Sequence, residues 1–189
     1  MIGSLGVVAL LDACVLYPAP IRDLLLHLAD ANLYKPKWTD RIQEEWTRNL
    51  LLNRPDLTAK QLSQTTDAMN SAFPEATVHQ YQNLINVLDL PDPDDRHVLA
   101  AAICGQAQLI VTANLKDFPA DRLSLYAIDA QHPDVFIAQL IELDPEAVLQ
   151  AFLAQVANLR NPPKAAHDVL RTLRKTGLIT TANALALML

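Results

Sequence analysis

The sequence predicts an α/β fold built around a mostly parallel sheet. Two short runs, residues 7–11 (VVALL), apolar throughout, and 109–112 (LIVT), apolar up to Thr112, carry β-branched residues. That is the pattern of strands buried on both faces. Between and beyond them, apolar residues recur at helical spacing. Each apolar run also breaks into polar, turn-forming residues: Asp12 after the first, Asn114 to Pro119 after the second.

In chain order, Ile21, Leu24, Leu25 and Leu28 mark one face of a helix ending near Asn32. Lys35-Pro36-Lys37 breaks that pattern. Thr39 is an N-cap candidate for a second helix, with Ile42, Glu45, Trp46, Asn49 and Leu50 on one side. Pro55 stops it. Asp56 or Thr58 caps a third, running to about Asn70 and ended by Phe73-Pro74. Residues 83–90 lead into an acidic turn. A helix over about residues 94–106 follows, with Val98, Leu99, Ala102 and Ile103 inward and Gly105 near its end. After the strand at 109–112, residues 123–128 read as a last strand, giving a sheet of four or five. From His132 onward the pattern is helical. Asp144-Pro145-Glu146 is a helix start, with a capping acid, Pro at the first position and a further acid. Asn161-Pro162-Pro163 sets off a final stretch, basic at Arg171, Arg174 and Lys175 and apolar at Val169, Leu170, Leu173 and Leu178. The chain divides accordingly into an α/β domain over residues 1–130 and a helical extension over 131–189.

Bulk composition narrows the function. The chain has 189 residues and is 51% hydrophobic, which predicts a substantial core. Only four glycines occur, none arranged as a phosphate-cradling loop, so dinucleotide-binding and P-loop chemistry are set aside. Net charge is −6, so a nucleic-acid partner must be met by local patches or through a metal rather than by a basic coat. Cys14 and Cys104 show no zinc spacing and read as reduced thiols. The start lacks a basic leader, and no apolar run reaches the roughly 18–20 residues that cross a bilayer. A cytoplasmic protein is expected.

The chemistry sits in the carboxylates. In an open α/β sheet, functional groups gather beyond the carboxyl ends of the strands. Asp12 follows the first strand; Asn114 and Asp117 follow the second. Asp94 and Asp95 open the helix that runs back into that second strand, so they belong to the same edge. Glu44 and Glu45 lie in the second helix, whose first turns can reach it. Converged carboxylates repel one another unless something positive lies between them. All-oxygen ligands select a hard cation, Mg²⁺ or Mn²⁺, able to activate water and to stabilise charge on a phosphodiester. Each piece also has a structural reading. Asp94 or Asp95 can cap a helix, Glu44 and Glu45 can form a solvated face with Arg41 and Arg48, and Asn114 and Asp117 can shape a turn.

Four segments, "LLDACVLYP", "TDRIQEEWTRNLL", "DPDDRHVLAAAI" and "LIVTANLKDFP", stand in this order and resemble a PIN domain over roughly residues 7–130. In bacteria that family is best known for VapC-like ribonuclease toxins of toxin–antitoxin pairs. The resemblance implies a three-layer α/β/α sandwich and a Mg²⁺-dependent endoribonuclease, with Mn²⁺ able to substitute. It also implies an RNA substrate and a cognate antitoxin covering the acidic groove; a homodimer is a further expectation. It assigns Asp12 and Asp95 as principal metal ligands and Glu45, followed by Trp46, as the helix acid, with Glu44 the fallback. Where many members have T-x-D, this chain has Thr112-Ala113-Asn114, an amide. Asp117, in the "KDF" that follows, is expected to supply the missing carboxylate. The implied catalytic set is Asp12, Glu45, Asp95 and Asp117. The implied metal set is Asp12, Glu45, Asp95, Asn114 and Asp117, and the implied substrate contacts are Arg96, Lys116 and Thr112. Thr112 has strand-ending and neighbour-orienting roles as its alternatives.

Other constellations are weaker. The five histidines show no zinc spacing, and His97 is expected to face solvent or cap locally. Cys14 reads as packing, not as a nucleophile. A haloacid-dehalogenase-type phosphatase needs a second Asp where Cys14 stands. Tyr34, Trp38 and Trp46 among Lys35, Lys37, Arg41 and Arg48 suggest base stacking and phosphate holding, with helix packing as the alternative for the aromatics. The rival function is a non-catalytic module with a decayed site acting through protein partners, for which the C-terminal apolar stripe is the candidate surface. The acids themselves do not distinguish RNA from DNA.

Overall fold

The structure, a computed structural model, describes residues 6–189. Its elements are β1 (Val8–Leu11), α1 (Ala13–Leu16), α2 (Ala19–Asp30), β2 (Lys35–Lys37), α3 (Asp40–Asn53), α4 (Ala59–Ala72), α5 (Gln82–Ile85), α6 (Arg96–Cys104), β3 (Leu109–Val111), α7 (Ala120–Leu123), β4 (Asp129–Gln131), α8 (Pro133–Leu143), α9 (Pro145–Asn158), α10 (Ala166–Lys175) and α11 (Ile179–Ala186). Single 3₁₀ turns lie at Pro93–Asp95, Leu115–Asp117 and Ser124–Tyr126.

The four strands form one parallel sheet in the order β2-β1-β3-β4. Leu10 pairs with Ile110 and Leu11 with Val111, and all four side chains are buried. The chain steps outward from β1 to β2, then returns across β1 to reach β3. Crossovers between parallel strands are right-handed, so steps in opposite directions put their helices, α2 and α6, on opposite faces of the sheet. The α/β/α expectation is met. The reversal falls between β1 and β3, and the carboxyl ends of strands on either side of such a switch leave a crevice.

Local chemistry accounts for the helix boundaries. Thr39 Oγ1 accepts from the Ile42 amide and starts α3. Of the two proposed caps for α4, Thr58 is the one used. It accepts from Gln61 N while the Gln61 side chain returns to Thr58 N, a capping box. Asp56 instead pairs with Arg54 at 2.7 Å. Helix α6 carries Ala100, Ala101 and Ala102 on a fully buried stretch, which lets it lie close to the sheet. At its end a Cβ on Gly105 would meet Val78 Cγ2 at 2.8 Å and the Ala101 carbonyl at 3.0 Å, so close approach requires glycine there.

Two local expectations are corrected. Residues 123–128 are not a strand: Leu123 ends α7, and a 3₁₀ turn follows. Leu123 and Ile128 are buried as isolated contacts flanking exposed Ser124 to Ala127, which mimics a strand's apolar content without its alternation. The last strand is the polar Asp129–Gln131. Lys35-Pro36-Lys37 is itself a strand. It lies at the sheet edge, where proline's missing N–H costs no ladder bond.

The C-terminal helices share one continuous core with the α/β part. Helix α9 lies along α2, and Phe136 of α8 packs edge-on against Tyr34 at 5.0 Å. The apolar stripe of α10, Val169, Leu170 and Leu173, is buried in this chain's own core, each side chain worth about 1.5–3 kcal/mol. Asp134 accepts from the amides of Thr180 and Thr181 at 2.9 and 2.8 Å and so holds the start of α11. Its burial opposes ionisation, but these hydrogen bonds outweigh it and hold the carboxyl below its ordinary value. Among the described residues, no helix is long and apolar enough to cross a membrane.

Candidate active site

The crevice at the switch point is a pocket of about 620 Å³. Asp12, Glu45, Asp94, Asp95 and Asn114 all line it. Four segments remote in sequence thus meet at one edge of the sheet, as the spacing predicts.

Asp12 is fixed from several sides. It is the residue where β1 becomes α1, and its Oδ1 accepts from Ala13 N at 2.7 Å, capping that short helix. Its Oδ2 accepts from Thr112 Oγ1 at 2.8 Å and from Cys14 Sγ at 3.2 Å. Thr112 also accepts from Asn114 N at 3.0 Å. One hydroxyl therefore ties the end of β1 to the turn after β3. Thr112 is fully buried, so its side chain offers nothing to a substrate; the substrate contact expected of it is corrected to an orienting contact. Cys14 is held in the same network, and its thiol is pushed up to about 12 by burial first and then by the Asp12 charge, which keeps it un-ionised.

Glu45 projects from α3 into the pocket, where Oε1 accepts from Arg41 Nε at 3.1 Å and lies 3.1 Å from His97 Nε2. Burial acts to raise its carboxyl, but the hydrogen bonds and charges of His97 and Arg41 outweigh this and hold it below the ordinary range. Glu44, the fallback, lines a separate depression with Thr47 and Leu51. His97 is 1% exposed, which overturns its expected solvent-facing position. It falls on the inward side of α6, immediately after Arg96. The acidic run before it gave the segment a hydrophilic look, and only helical phase marks residue 97 as inward, beside Val98 and Ala101.

Asp95 stands at the start of α6. Its Oδ2 is buried and, among the described residues, accepts no hydrogen bond. Burial, then the charges of Asp12, Asp92 and Asp117, push its carboxyl up to about 6, with His97 acting weakly the other way. Asp117 is thus within electrostatic reach of Asp95, although it is not on the pocket wall. Its Oδ2 accepts from Asn114 Nδ2, so the amide and the acid act as a linked pair. Asp92 caps the 3₁₀ turn by accepting from Asp94 N at 2.9 Å.

Among the described residues, no three His, Cys, Asp or Glu side chains stand close enough together to enclose an ion directly. The donor set nonetheless fits a hard cation that keeps several waters and takes one or two carboxylates, as magnesium does. The unpartnered Asp95 Oδ2 facing mutual repulsion from Asp12 is the feature a cation would satisfy.

Arg96 and Lys116 lie outside the pocket wall, Arg96 partly buried and Lys116 exposed on the 3₁₀ turn. The cationic groups that do line it are Arg41 and Arg48 of α3. Tyr34, Trp38 and Trp46 are buried in the core, so they pack helices and do not stack bases. Trp46 carries the Arg22 guanidinium 4.5 Å from its ring centroid.

Comparison with known proteins agrees with this geometry. The model of the PIN domain matches residues 8–116, from the first strand to the turn after β3. The model of the VapC50 C-terminal domain matches residues 133–187, the four C-terminal helices. The chain is 46% identical over 79 residues to a protein of Mycobacterium tuberculosis named "Putative ribonuclease VapC50", covering 42% of this chain and 47% of that one. The chain thus aligns with about half the length of this curated relative. No solved structure matches it. With the family model spanning more than half of its residues and the acidic crevice lying within that span, the chain belongs to the PIN-domain family.

Proposed function

We propose that this protein is a divalent-metal-dependent endoribonuclease acting as the toxin of a toxin–antitoxin pair, with magnesium the working ion and manganese able to replace it. The observation that carries the reading is the meeting of Asp12, Glu45, Asp95 and Asn114 in one pocket at the switch point, with an oxygen of Asp95 left unpartnered. The name of the mycobacterial relative, a putative ribonuclease, supports RNA as the substrate, and the antitoxin partner rests on the family resemblance alone. Residues 1–130 are proposed to carry the nuclease and 131–189 to buttress it.

Asp12 and Asp95 would hold the ion, with Glu45, Asn114 and Asp117 completing its surroundings through water. The ion, when bound, would supply charge neutralisation and a lowered pKa for water. The protein's own part is positioning. Thr112 and Ala13 lock the Asp12 carboxylate, His97 and Arg41 lock Glu45, and Asn114 anchors Asp117. A phosphodiester entering the pocket would be held against these fixed acids only once their repulsion is offset. That requirement makes cleavage depend on the metal. Arg96 and Lys116, at the periphery, are proposed to meet phosphates beyond the scissile one.

Calorimetric titration with magnesium, followed by RNA-cleavage assays of the parent and Asp12→Asn proteins, tests the proposal. Divalent binding with cleavage abolished by Asp12→Asn is the expected result. An absence of divalent binding would overturn it in favour of a non-catalytic module, and cleavage indifferent to Asp12→Asn would show that the acidic pocket is not where RNA is cut.

A further inference from the structure

One wall of the pocket belongs to α3, the helix that also carries Glu45. Arg41, Glu45, Arg48, Asn49 and Asn53 follow one another at helical spacing and all line the cavity, together with Tyr17. The three arginines of this region differ in what they already hold. Arg41 is bound to Glu45, and Arg54 is bound twice to Asp56, at 2.8 and 2.7 Å. Among the described residues, Arg48 makes neither an ion pair nor a side-chain hydrogen bond, and its side chain is exposed. It is therefore the cation on the pocket wall with its whole donor set free. Asn49 has its side-chain amide unengaged, and Asn53 uses one N–H on the Asn49 carbonyl at 2.9 Å, leaving its oxygen open.

We infer that this α3 wall is the substrate-reading surface: Arg48 seats a backbone phosphate beside the acidic cluster, and Asn49 and Asn53 sort the bases of a single-stranded RNA. The inference rests on the proposal that the pocket cleaves RNA. A site of carboxylates alone repels a polyanion, so a cation with free donors on the pocket wall supplies the missing attraction. Guanidinium forks match phosphate oxygens bidentately. Carboxamides present a donor and an acceptor together, the pairing needed to read a base edge, and such edges are open in unpaired RNA. The pocket volume of about 620 Å³ lies within the roughly 300–1,000 Å³ of sites that enclose a small ligand, room for a nucleotide unit rather than a duplex.

The test uses the full-length chain carrying Asp12→Asn, so that RNA survives, and a labelled single-stranded oligoribonucleotide with magnesium present. Binding is measured against salt concentration. Arg48→Ala should weaken binding and reduce the slope of log K against log salt by about 0.7, the value for one phosphate contact on a single strand. Arg48→Lys should keep most of that slope. On the Asp12 parent, Asn49→Ala with Asn53→Ala should redistribute cleavage sites on a random-sequence RNA while leaving the salt slope unchanged. All three side chains are exposed on α3, and unchanged thermal midpoints would verify that folding is intact. An unaltered slope in Arg48→Ala, no oligonucleotide binding by the parent, or an unaltered cleavage pattern in the double variant would overturn the inference. Cleavage that ignores Asp12→Asn would instead sink the ribonuclease reading, while the salt slope would still report on Arg48.

Discussion

His97 Nε2 lies 3.1 Å from Glu45 Oε1, joining the first turn of α6 to the middle of α3 on the pocket wall. Glu45 reaches the pocket from α3, and its aim depends on this contact and on Arg41. His97→Ala should leave Glu45 with a solvent-screened partner only, and activity should fall by about 10–100-fold, the usual effect of losing a group that orients a ligand. His97→Gln, which keeps a donor, should recover part of it. RNA-cleavage rates and magnesium affinity of the two variants check this; equal activity of His97→Ala and the parent would refute it.

Asp95 gives a pH signature. Its folded-state carboxyl titrates at about 6 against an ordinary 3.8, so the folded state binds its proton more tightly than the unfolded chain does. Below the ordinary value both states are protonated and Asp95 is neutral to stability. As pH rises from there to about 6 the unfolded state ionises first, and folding loses stability; above about 6 the penalty is fully present. Asp95→Asn should therefore stabilise the metal-free protein above that range by on the order of 1 kcal/mol after discounting for solvent screening, seen as a higher thermal midpoint. Saturating magnesium should shrink or reverse the gain. A midpoint for Asp95→Asn equal to the parent's at neutral pH without metal would show that repulsion is already relieved.

Thr112 tests the link between the two strand ends. Thr112→Val preserves shape in a fully buried position but removes the donor to Asp12 Oδ2 and the acceptor for Asn114 N. Leaving such groups unsatisfied costs about 1–3 kcal/mol. Thermal or denaturant unfolding should show that loss, and magnesium should bind more weakly because Asp12 is less constrained. Thr112→Ser should restore both. A Thr112→Val protein as stable as the parent would mean that water replaces the hydroxyl.

How much of this was legible follows from how far each signal reaches along the chain. Asp12, Asp95 and Asn114 were readable because each adjoins an element whose direction the sequence reveals, and a parallel sheet brings those ends to one edge. The preference for Glu45 over Glu44 came from the family resemblance, through the Trp46 that follows it; the two side chains line different depressions. His97 was missed because its burial depends on helical phase immediately after an acidic turn, where local polarity argues the other way. The strands Lys35–Lys37 and Asp129–Gln131 were missed because edge strands need little apolar content: their pairing is set by β1 and β3, not by their own side chains. Arg41 and Arg48 were legible as cations near the aromatics, but Asn49 and Asn53 were not singled out as polar groups of a site, because any exposed helix face looks alike in sequence and only the pocket distinguishes one.

The clamp between the two ends of the C-terminal region is open to a final test. Asp134, at the start of α8, holds the first amides of α11 through both carboxylate oxygens. Its depressed carboxyl means the stabilisation is present above the ordinary value of 3.8 and is lost as pH falls through the lower folded-state value. Asp134→Ala should cost about 1–2 kcal/mol at neutral pH, the range for losing a helix cap. The difference from the parent should narrow in strong acid, where the parent's carboxyl is itself protonated. Because α11 packs on α8 and α10, hydrogen exchange should quicken first in residues 179–186 and leave β1 and β3 protected. Faster exchange spread evenly over the sheet would mean instead that the C-terminal helices and the α/β part unfold as a single unit.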